Sequence, residues 1–344
     1  MNILVYSDNH FCQNSSIIRG RGNRFSDRLE NQLNTLLFIE ETAKRYSCSA
    51  IFNCGDFFDK PELNSEEISA LKEVQWDVSI PHYYIVGNHD ASNKSLSYNA
   101  TNVLASIPNS FVIDKPSGIS ISGVGIYFLP YVSTNNNESI SLEDIFGNTL
   151  FQSNKRLLLS HNEINGLQYG KYVSTSGLNI EEVSKYFDMC INGHLHNFMR
   201  VTDKIINIGN VTGQNFSEDG FQYSHNIAIF NTESFSIQYV ENPFAFNFYK
   251  VDTKKLCDSV TYMKNAVVSV SCEEQEADSV RKIIKENNNI KYYKITVTRS
   301  EYSDKEQLFN DSSTPKNKFS EFIINVLGND LVVAEELNLI CEGE

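Results

Sequence analysis

The sequence has no long apolar run and no cysteine pattern of the kind that staples secreted proteins. No stretch approaches the roughly 18 consecutive apolar residues that would span a bilayer. The apolar run before Asp8 is too short for a secretory signal. The seven cysteines lie scattered without C-x-x-C spacing, which indicates reduced thiols, most of them in the core. We therefore expect a cytoplasmic protein without membrane contact, in the host cytoplasm if the chain is viral.

The sequence also lacks an excess of positive charge. Its 29 basic and 43 acidic residues give a formal net charge of −14. Such a balance argues against a broad basic surface for nucleic acid, but bound divalent cations or a partner subunit can supply positive charge locally. The one basic cluster, Arg19, Arg21, Arg24 and Arg28, is either a solvated face or a contact to DNA phosphates.

Short apolar runs alternate with amphipathic stretches over residues 1–243, which is typical of an α/β domain. The predicted strands are Ile3–Ser7, Ala50–Cys54, Tyr83–Val86, Leu157–Ser160 and Met189–Asn192. A helix is predicted over Arg28–Arg45, and another begins at Asn64 with Glu67 in the capping-box position. Residues 118–131 and 201–240 predict a second, more antiparallel sheet packed on the first.

The remaining chain divides into two parts. Residues 244–311 contain a strand–helix–strand pattern, which predicts a small α+β capping domain. Residues 312–344 are predicted to form a linker and a helical tail. The tail has an apolar face at helical spacing, made of Phe319, Phe322, Ile323, Val326 and Leu327.

Polar residues follow the predicted strands at the point where each strand ends. Ligands of open α/β sheets bind outside the carboxyl ends of the strands, so these residues are expected to converge at one edge. The set is Asp8, His10, Asp56, Asn88, His89, Asp90, His161, His194 and His196. Each motif alone can be a capped turn, whereas the whole set in this order predicts a metal centre.

The residue types indicate which metals would bind. Two divalent ions about 3.5–4 Å apart can clamp a phosphate and generate hydroxide at neutral pH. One carboxylate must bridge them, and Asp56 is the natural candidate. Mixed imidazole and carboxylate ligands favour manganese, iron or zinc over magnesium. The sequence therefore predicts two divalent transition metals, which can be manganese, iron or zinc.

The motifs Asp8-x-His10, Gly55-Asp56-x-x-Asp59, Gly87-Asn88-His89-Asp90, His161 and Gly193-His194-x-His196 resemble the calcineurin-like metallophosphoesterase superfamily. Within it the chain resembles SbcD-type double-strand-break repair nucleases, in particular their bacteriophage recombination-endonuclease relatives. The resemblance covers residues 1–240 and implies a four-layer double β-sandwich flanked by helices. Beyond residue 240 it extends only to the layout of a small capping domain followed by helices.

The resemblance also implies roles for the residues. Asp8, His10, Asp56 and His196 would hold one ion, and Asp56, Asn88, His161 and His194 the other. His89 would face the scissile phosphate, with Asp59 orienting its imidazole. The implied activity is 3′-to-5′ exonuclease and endonuclease cleavage of DNA in a recombination and repair complex. The implied partners are an SMC-like ATPase, whose coiled coil the tail would bind, and a second copy of the chain.

Three other functions are compatible with the fold alone. A cyclic-nucleotide or small-molecule phosphodiesterase would share the metal motifs. The Ser/Thr phosphatases of the superfamily differ at the positions of Lys60 and Asp90, which counts against that class. A non-catalytic scaffold is disfavoured because scaffolds lose ligands first, and every ligand of the pattern is present here.

Overall fold

The computed structural model describes residues 1–135, 138–147, 153, 155–169 and 172–298. The strands are β1 (Asn2–Tyr6), β2 (Cys48–Asn53), β3 (His82–Ile85), β4 (Ser110–Ile113), β5 (Ser117–Ile121), β6 (Val124–Leu129), β7 (Ser139–Ile140), β8 (Lys155–Ser160), β9 (Gln168–Tyr169), β10 (Tyr172–Val173), β11 (Gly177–Leu178), β12 (Met189–Asn192), β13 (Met199–Arg200), β14 (Ile205–Asn207), β15 (Asn226–Asn231), β16 (Ser236–Glu241), β17 (Asn247–Asp252), β18 (Ala266–Glu273) and β19 (Ile290–Thr298). The α-helices are α1 (Asp27–Arg45), α2 (Ser65–Leu71), α3 (Leu142–Phe146), α4 (Ile180–Tyr186), α5 (Thr253–Ser259) and α6 (Ala277–Glu286). Short 3₁₀ helices occupy Ala100–Ser106, Val260–Tyr262 and Glu274–Glu276.

The first large sheet has the strand order β16-β15-β1-β2-β3-β4. Strands β1 to β4 are parallel, and β15 joins β1 and β16 in antiparallel fashion. Helix α1 is capped by Ser26, whose side chain accepts the N–H of Leu29. Helix α2 is capped by Asn64 with a complete capping box to Glu67, as the sequence predicted. These caps satisfy backbone donors that would otherwise lack partners at the helix starts.

The second large sheet has the order β13-β14-β12-β8-β6-β5. Its four central strands are parallel, and β13 and β5 form antiparallel edges. The expectation that this second sheet is largely antiparallel was wrong, and the expectation that residues 201–240 lie in it is confirmed for β14 but wrong for β15 and β16. Strands β15 and β16 extend the first sheet instead, whereas β8 and β12 are central to the second. An apolar run predicts a strand, but it does not predict which other strand will pair with it.

Alternating side chains sort into three apolar layers. Ile3 and Val5 face the second sheet, where they meet Ile126 and Leu159, while Leu4 and Tyr6 face α1. On the far side, the second sheet packs against α3 and α4. Each fully buried large apolar side chain contributes about 1.5–3 kcal/mol through removal from water. The helix–sheet–sheet–helix arrangement confirms the expected double β-sandwich.

A smaller sheet of order β17-β18-β19 follows, with α5 and α6 against one face. All three strands are parallel, because helices connect them, so this unit has an α/β topology and not the expected α+β one. Its other face places Phe246, Phe248 and Val267 against Ile18. The predicted residue limits of the capping domain stay a prediction.

The predicted linker and tail lie outside the described residues, including the proposed apolar face Phe319, Phe322, Ile323, Val326 and Leu327. Among the helices that are described, none has the length and apolarity needed to cross a membrane. The cysteines of the described ranges are free thiols; all are buried except Cys257, which agrees with the expected core role for most of them.

Candidate metal centre

The candidate site lies where strands of the two large sheets end. In the first sheet, Asp8, Asp56 and Asn88 follow β1, β2 and β3. In the second sheet, His161 and His194 follow β8 and β12. Parallel neighbours end at the same edge, so each sheet delivers its residues to one place, and the stacking of the two sheets brings the two edges together. The predicted convergence of strand exits is present in the structure.

The backbone turns sharply at three of these exits, those of β1, β2 and β12. Asp8, His10, Asp56 and His194 have φ angles of 52°, 47°, 49° and 79°, in the left-handed region. Such a conformation costs about 1–3 kcal/mol for a residue with a side chain, and it persists only where neighbours hold it. Here the N–H of Asp8 donates to Gly55 O at 3.0 Å, and that of His10 to Asp56 O at 3.0 Å. The N–H of His194 donates to the Asp8 carboxylate at 3.1 Å.

One group of donor atoms belongs to Asp8, His10 and His196. The Nε2 atoms of His10 and His196 lie 3.1 Å apart. Their Nδ1 atoms face carboxylates, at 3.0 Å from Asp59 and 2.9 Å from Glu218, so each Nδ1 carries the proton and donates. In the neutral rings the facing Nε2 atoms then both present lone pairs, an arrangement that a cation between them stabilises.

A second group belongs to Asp56, His161 and His194, with Asn88 beside it. His161 Nδ1 donates to Cys54 O at 2.7 Å, so Nε2 is the atom that carries a lone pair in the neutral ring, the form that coordinates a metal. That Nε2 lies 3.1 Å from Asp56 Oδ2 and 3.2 Å from Asn88 Oδ1. His194 Nδ1 lies 3.0 Å from the same Asn88 oxygen. Electron-pair donors from four side chains thus point at one place, which fits a bound cation.

Asp56 lies between the two groups. Its Oδ2 is 3.1 Å from His161 Nε2 and 3.8 Å from His10 Nε2. Burial by itself would raise the pKa of Asp56, but His161 and His10 hold it well below the usual range. Burial opposes protonation of His161, yet Asp56 raises the pKa of His161 to about 9. Burial and His161 lower the pKa of His194 to about 3, so this imidazole stays neutral and able to coordinate. The negative charge of Asp56 therefore favours a positive charge between the two donor groups.

His89 stands at the open side of the site. Its side chain is 45% exposed, and its ring contacts the His10 ring edge-to-face at 4.8 Å between centroids. Its Nδ1 donates to the backbone carbonyl of Asp59 at 3.0 Å, while the Asp59 carboxylate is 3.9 Å away. That carboxylate instead accepts from His10. The expectation that the Asp59 side chain orients His89 is therefore corrected: the carbonyl of residue 59 contacts His89, and its carboxylate serves His10.

The basic cluster divides into exposed and buried members. Arg21 pairs with Glu66 at 2.9 Å, and Arg24 with Glu73 at 2.5 Å. Arg19 is exposed and donates to a backbone carbonyl of its own loop, that of Ser16. Arg28 is 2% exposed and donates to Gly213 O at 2.8 Å. The expectation of a phosphate contact is therefore wrong for Arg28, because its guanidinium is enclosed by protein. For the other three arginines it stays a prediction.

The sequence assigned no role to three residues that the structure places here. Glu218 is buried and contacts His196. Asp90 is buried and accepts the N–H groups of Phe58 and Gly87; burial and the nearby Asp56 raise the pKa of Asp90 to about 7. The ring of Tyr131 lies 5.9 Å from that of His194. Asp90 stood in a recognised motif, whereas nothing in the sequence distinguishes Glu218 from the other acidic residues.

The remaining histidines are structural, in line with the core or surface roles expected for them. His82 is buried, with Nε2 2.8 Å from Glu40 Oε1. His225 is buried, with Nδ1 3.1 Å from Asn210 O. Neither belongs to either group of candidate ligands.

Comparison with known proteins decides the family. The family model described as calcineurin-like phosphoesterase matches residues 1–198, which is more than half of the chain. The chain belongs to this family. This phosphoesterase is therefore a metal-dependent hydrolase of phosphate esters, and the predicted membership is confirmed. Divalent metals are the cofactors of the family, and the two donor groups described above are its candidate sites in this chain.

Individual relatives give further comparisons. A curated relative, "Exonuclease subunit 1" of enterobacteria phage T4, is 29% identical over 162 residues, which are 45% of this phosphoesterase and 46% of that protein. The match thus spans about half the length of the relative. Among solved structures, the calcineurin-like phosphoesterase YfkN from Bacillus subtilis has 9% identity and a TM-score of 0.37, with 70% of this chain and 88% of that chain covered. Yfce, a phosphoesterase from E. coli, has 12% identity and a TM-score of 0.30, with coverage of 70% and 99%.

Proposed function

We propose that this phosphoesterase is a metal-dependent DNA nuclease, a subunit of a recombination and repair complex. The activities proposed are 3′-to-5′ exonuclease cleavage and endonuclease cleavage of single strands and structured ends. The observation that carries the proposal is the similarity to a phage protein named as an exonuclease subunit. The accessible His89 beside two groups of metal-ligand atoms supports a site that can receive a phosphodiester.

In this proposal the two donor groups hold the cofactor. Asp8, His10, Asp56 and His196 would hold one ion, and Asp56, Asn88, His161 and His194 the other. When bound, two divalent transition ions supply an activated water and neutralise charge on the phosphate. We propose Mn²⁺, because imidazole and carboxylate ligands together suit it better than magnesium.

His89 has the accessible ring needed to act on the substrate. Its Nδ1–H is used by the carbonyl of Asp59, so Nε2 is the atom available to the phosphate or the leaving oxygen. A proton on Nε2 would stabilise charge on the phosphate or pass to the leaving oxygen. His10 packs against one edge of this ring and limits its rotation.

The positive charge that DNA binding requires must come largely from bound divalent cations and a partner subunit. The net charge is −14, and two exposed arginines of the basic cluster, Arg21 and Arg24, are paired with glutamates. We therefore propose a partner, an SMC-like ATPase whose coiled coil binds the helical tail, and a homodimeric nuclease in the cytoplasm.

A pulldown tests the role of the tail. The full chain should recover the ATPase, and a chain ending at Pro315 should not. Equal recovery by both would contradict this part.

A cleavage assay tests the nuclease proposal directly. Purified protein with Mn²⁺ is mixed with linear DNA labelled at the 3′ or the 5′ end, in the presence and absence of the ATPase. Shortening from the 3′ end is expected. A His161→Ala protein, which lacks a proposed ligand, is the matched control for contaminating nucleases. If bis-p-nitrophenyl phosphate is hydrolysed while no DNA substrate is cut under any condition, the proposal fails.

A cyclic-nucleotide or small-molecule phosphodiesterase is the second candidate. The acidic net charge favours it, because a small diester needs no extended basic surface. The same preparation can be given cyclic nucleotides in place of DNA. Faster hydrolysis of these than of any DNA would select this alternative.

A further inference from the structure

Glu218 lies behind the proposed metal ligand His196. Its side chain is 2% exposed, and Oε1 accepts from His196 Nδ1 at 2.9 Å. Oε2 accepts the backbone N–H of Gln214 at 2.9 Å. Both carboxylate oxygens are thus engaged, one by the ligand and one by its own loop, and the orientation of the carboxylate is fixed.

The loop that carries Glu218 is held from two sides. From α1, Arg28 donates to Gly213 O at 2.8 Å and to the side chain of Gln214. From the small sheet and the residues before it, Phe246 O accepts the N–H of Gly213 at 3.1 Å, and Phe248 O accepts that of Gly220 at 2.8 Å. The buried Arg28 therefore has a structural role. It holds the loop from which the Glu218 side chain contacts His196.

A buried carboxylate on a ligating histidine has two effects. It fixes the tautomer with the proton on Nδ1, and it increases the basicity of the Nε2 atom that would coordinate. His161, in the other group, donates its Nδ1–H to a neutral carbonyl, that of Cys54. Asp59, behind His10, is 45% exposed and is screened by solvent. The Nδ1–H of His196 therefore donates to a buried negative charge, whereas the Nδ1–H of His161 does not.

We propose that Glu218 is a positioning residue that fixes His196 for coordination and makes the ion position of Asp8, His10, Asp56 and His196 the tighter of the two. The two positions are unequal, and this one fills first. The inference rests on the ligand assignment proposed above and not on the identity of the substrate.

Manganese binding to the full chain tests the inference without any activity measurement. Free Mn²⁺ is followed by its electron paramagnetic resonance signal as metal is added to protein that has been stripped with a chelator. Wild type should bind two equivalents in two resolved steps. Glu218→Gln keeps the size of the side chain and removes its charge. It should weaken the tighter step by about 10- to 100-fold and leave the other step unchanged.

Glu40→Gln is the matched control. Glu40 is also buried and faces a histidine nitrogen, His82 Nε2 at 2.8 Å, but that pair lies outside both donor groups. Its loss should lower the unfolding temperature and leave both binding steps as in wild type. A double variant adds a second check: in a His196→Ala background, Glu218→Gln should cause no further loss, because it acts through His196.

The outcomes separate this inference from the ligand assignment. Wild type that binds fewer than two equivalents contradicts the assignment. Two wild-type steps that Glu218→Gln leaves unchanged, or weakens equally, overturn the role of Glu218. If Glu218→Gln does not fold, Glu218→Asp retains the charge but withdraws its oxygen from His196. Selective weakening of the tighter step by Glu218→Asp supports the proposal, and unchanged binding overturns it.

Discussion

Removal of the His89 ring should separate catalysis from metal binding. The backbone N–H of His89 donates to Asp56 Oδ1 at 2.9 Å, and this contact survives substitution by alanine. The ring itself is 45% exposed and is held by the carbonyl of Asp59. His89→Ala therefore leaves Asp56 supported and deletes only the group that is proposed to face the substrate.

The size of the effect follows from the proposed role. A positioned acid contributes about 10²–10⁴-fold to the rate, which corresponds to about 2.7–5.4 kcal/mol of transition-state stabilisation at 1.36 kcal/mol for each tenfold. We expect kcat to fall by this factor at saturating Mn²⁺, with both manganese equivalents retained. The fall should be larger for DNA than for bis-p-nitrophenyl phosphate, whose leaving group departs without a proton. An equal fall for both substrates would indicate stabilisation of phosphate charge instead of proton donation.

A competing arrangement makes this prediction refutable. His89 also forms a compact group with His10 and Asp59, whose ligand atoms lie within 4.8 Å of one another. If that group held an ion, His89→Ala would abolish one equivalent of bound Mn²⁺. Such a loss, measured by the same resonance titration, would make His89 a ligand and refute its assignment to the substrate.

Three further predictions use the same preparations. Asp59→Asn should weaken manganese binding at the His10 position, but by less than Glu218→Gln does, because Asp59 is half-exposed. The kcat at saturating metal should change little. A large fall in kcat with unchanged manganese binding would instead show that the Asp59 side chain orients His89. Gly55→Ala should abolish the His161 position in the titration, since Gly55 has φ +98° and a Cβ there would lie 2.2 Å from His161 Nδ1; normal binding would show that the turn can relax. Phe52→Ala should lower the free energy of unfolding by about 3–5 kcal/mol in urea denaturation, because this fully buried ring packs between the sheets against Tyr83 and Phe128; a loss below 1 kcal/mol would contradict that packing.

The sequence was informative about local structure for local reasons. The Asn64–Glu67 capping box and the strand Met189–Asn192 were recognised because caps and apolar runs act over a few residues. Sheet membership was not recognised for β15 and β16. The pairing of β15 with β1 joins residues more than 200 positions apart, as in Asn2 with Asn231. Such pairings depend on how whole layers stack, and neighbouring residues do not determine them.

The same distinction holds for the site. His10, Asp56 and His194 stand in motifs with fixed spacing, so their convergence could be predicted from strand exits. Glu218 lies in a loop without periodicity and reaches His196 only because Arg28 and the small sheet hold that loop in place. Arg28 misled the prediction for a related reason. A charge cluster in sequence does not show which of its members the fold encloses, and one of the four is buried.

Backbone strain and negative charge are concentrated at the same place in this fold. Of the ten non-glycine residues with positive φ in the described part of the chain, four belong to the candidate ligand set. Four carboxyl groups, those of Asp8, Asp56, Asp90 and Glu218, are buried there as well. Local rules disfavour each feature, and exceptions to such rules are expected at functional sites, where other interactions offset their cost. Bound divalent cations would neutralise the carboxylates. They would be coordinated by the side chains that the strained turns orient. The features that make this region unfavourable as ordinary structure are therefore the ones that suit it to hold metal.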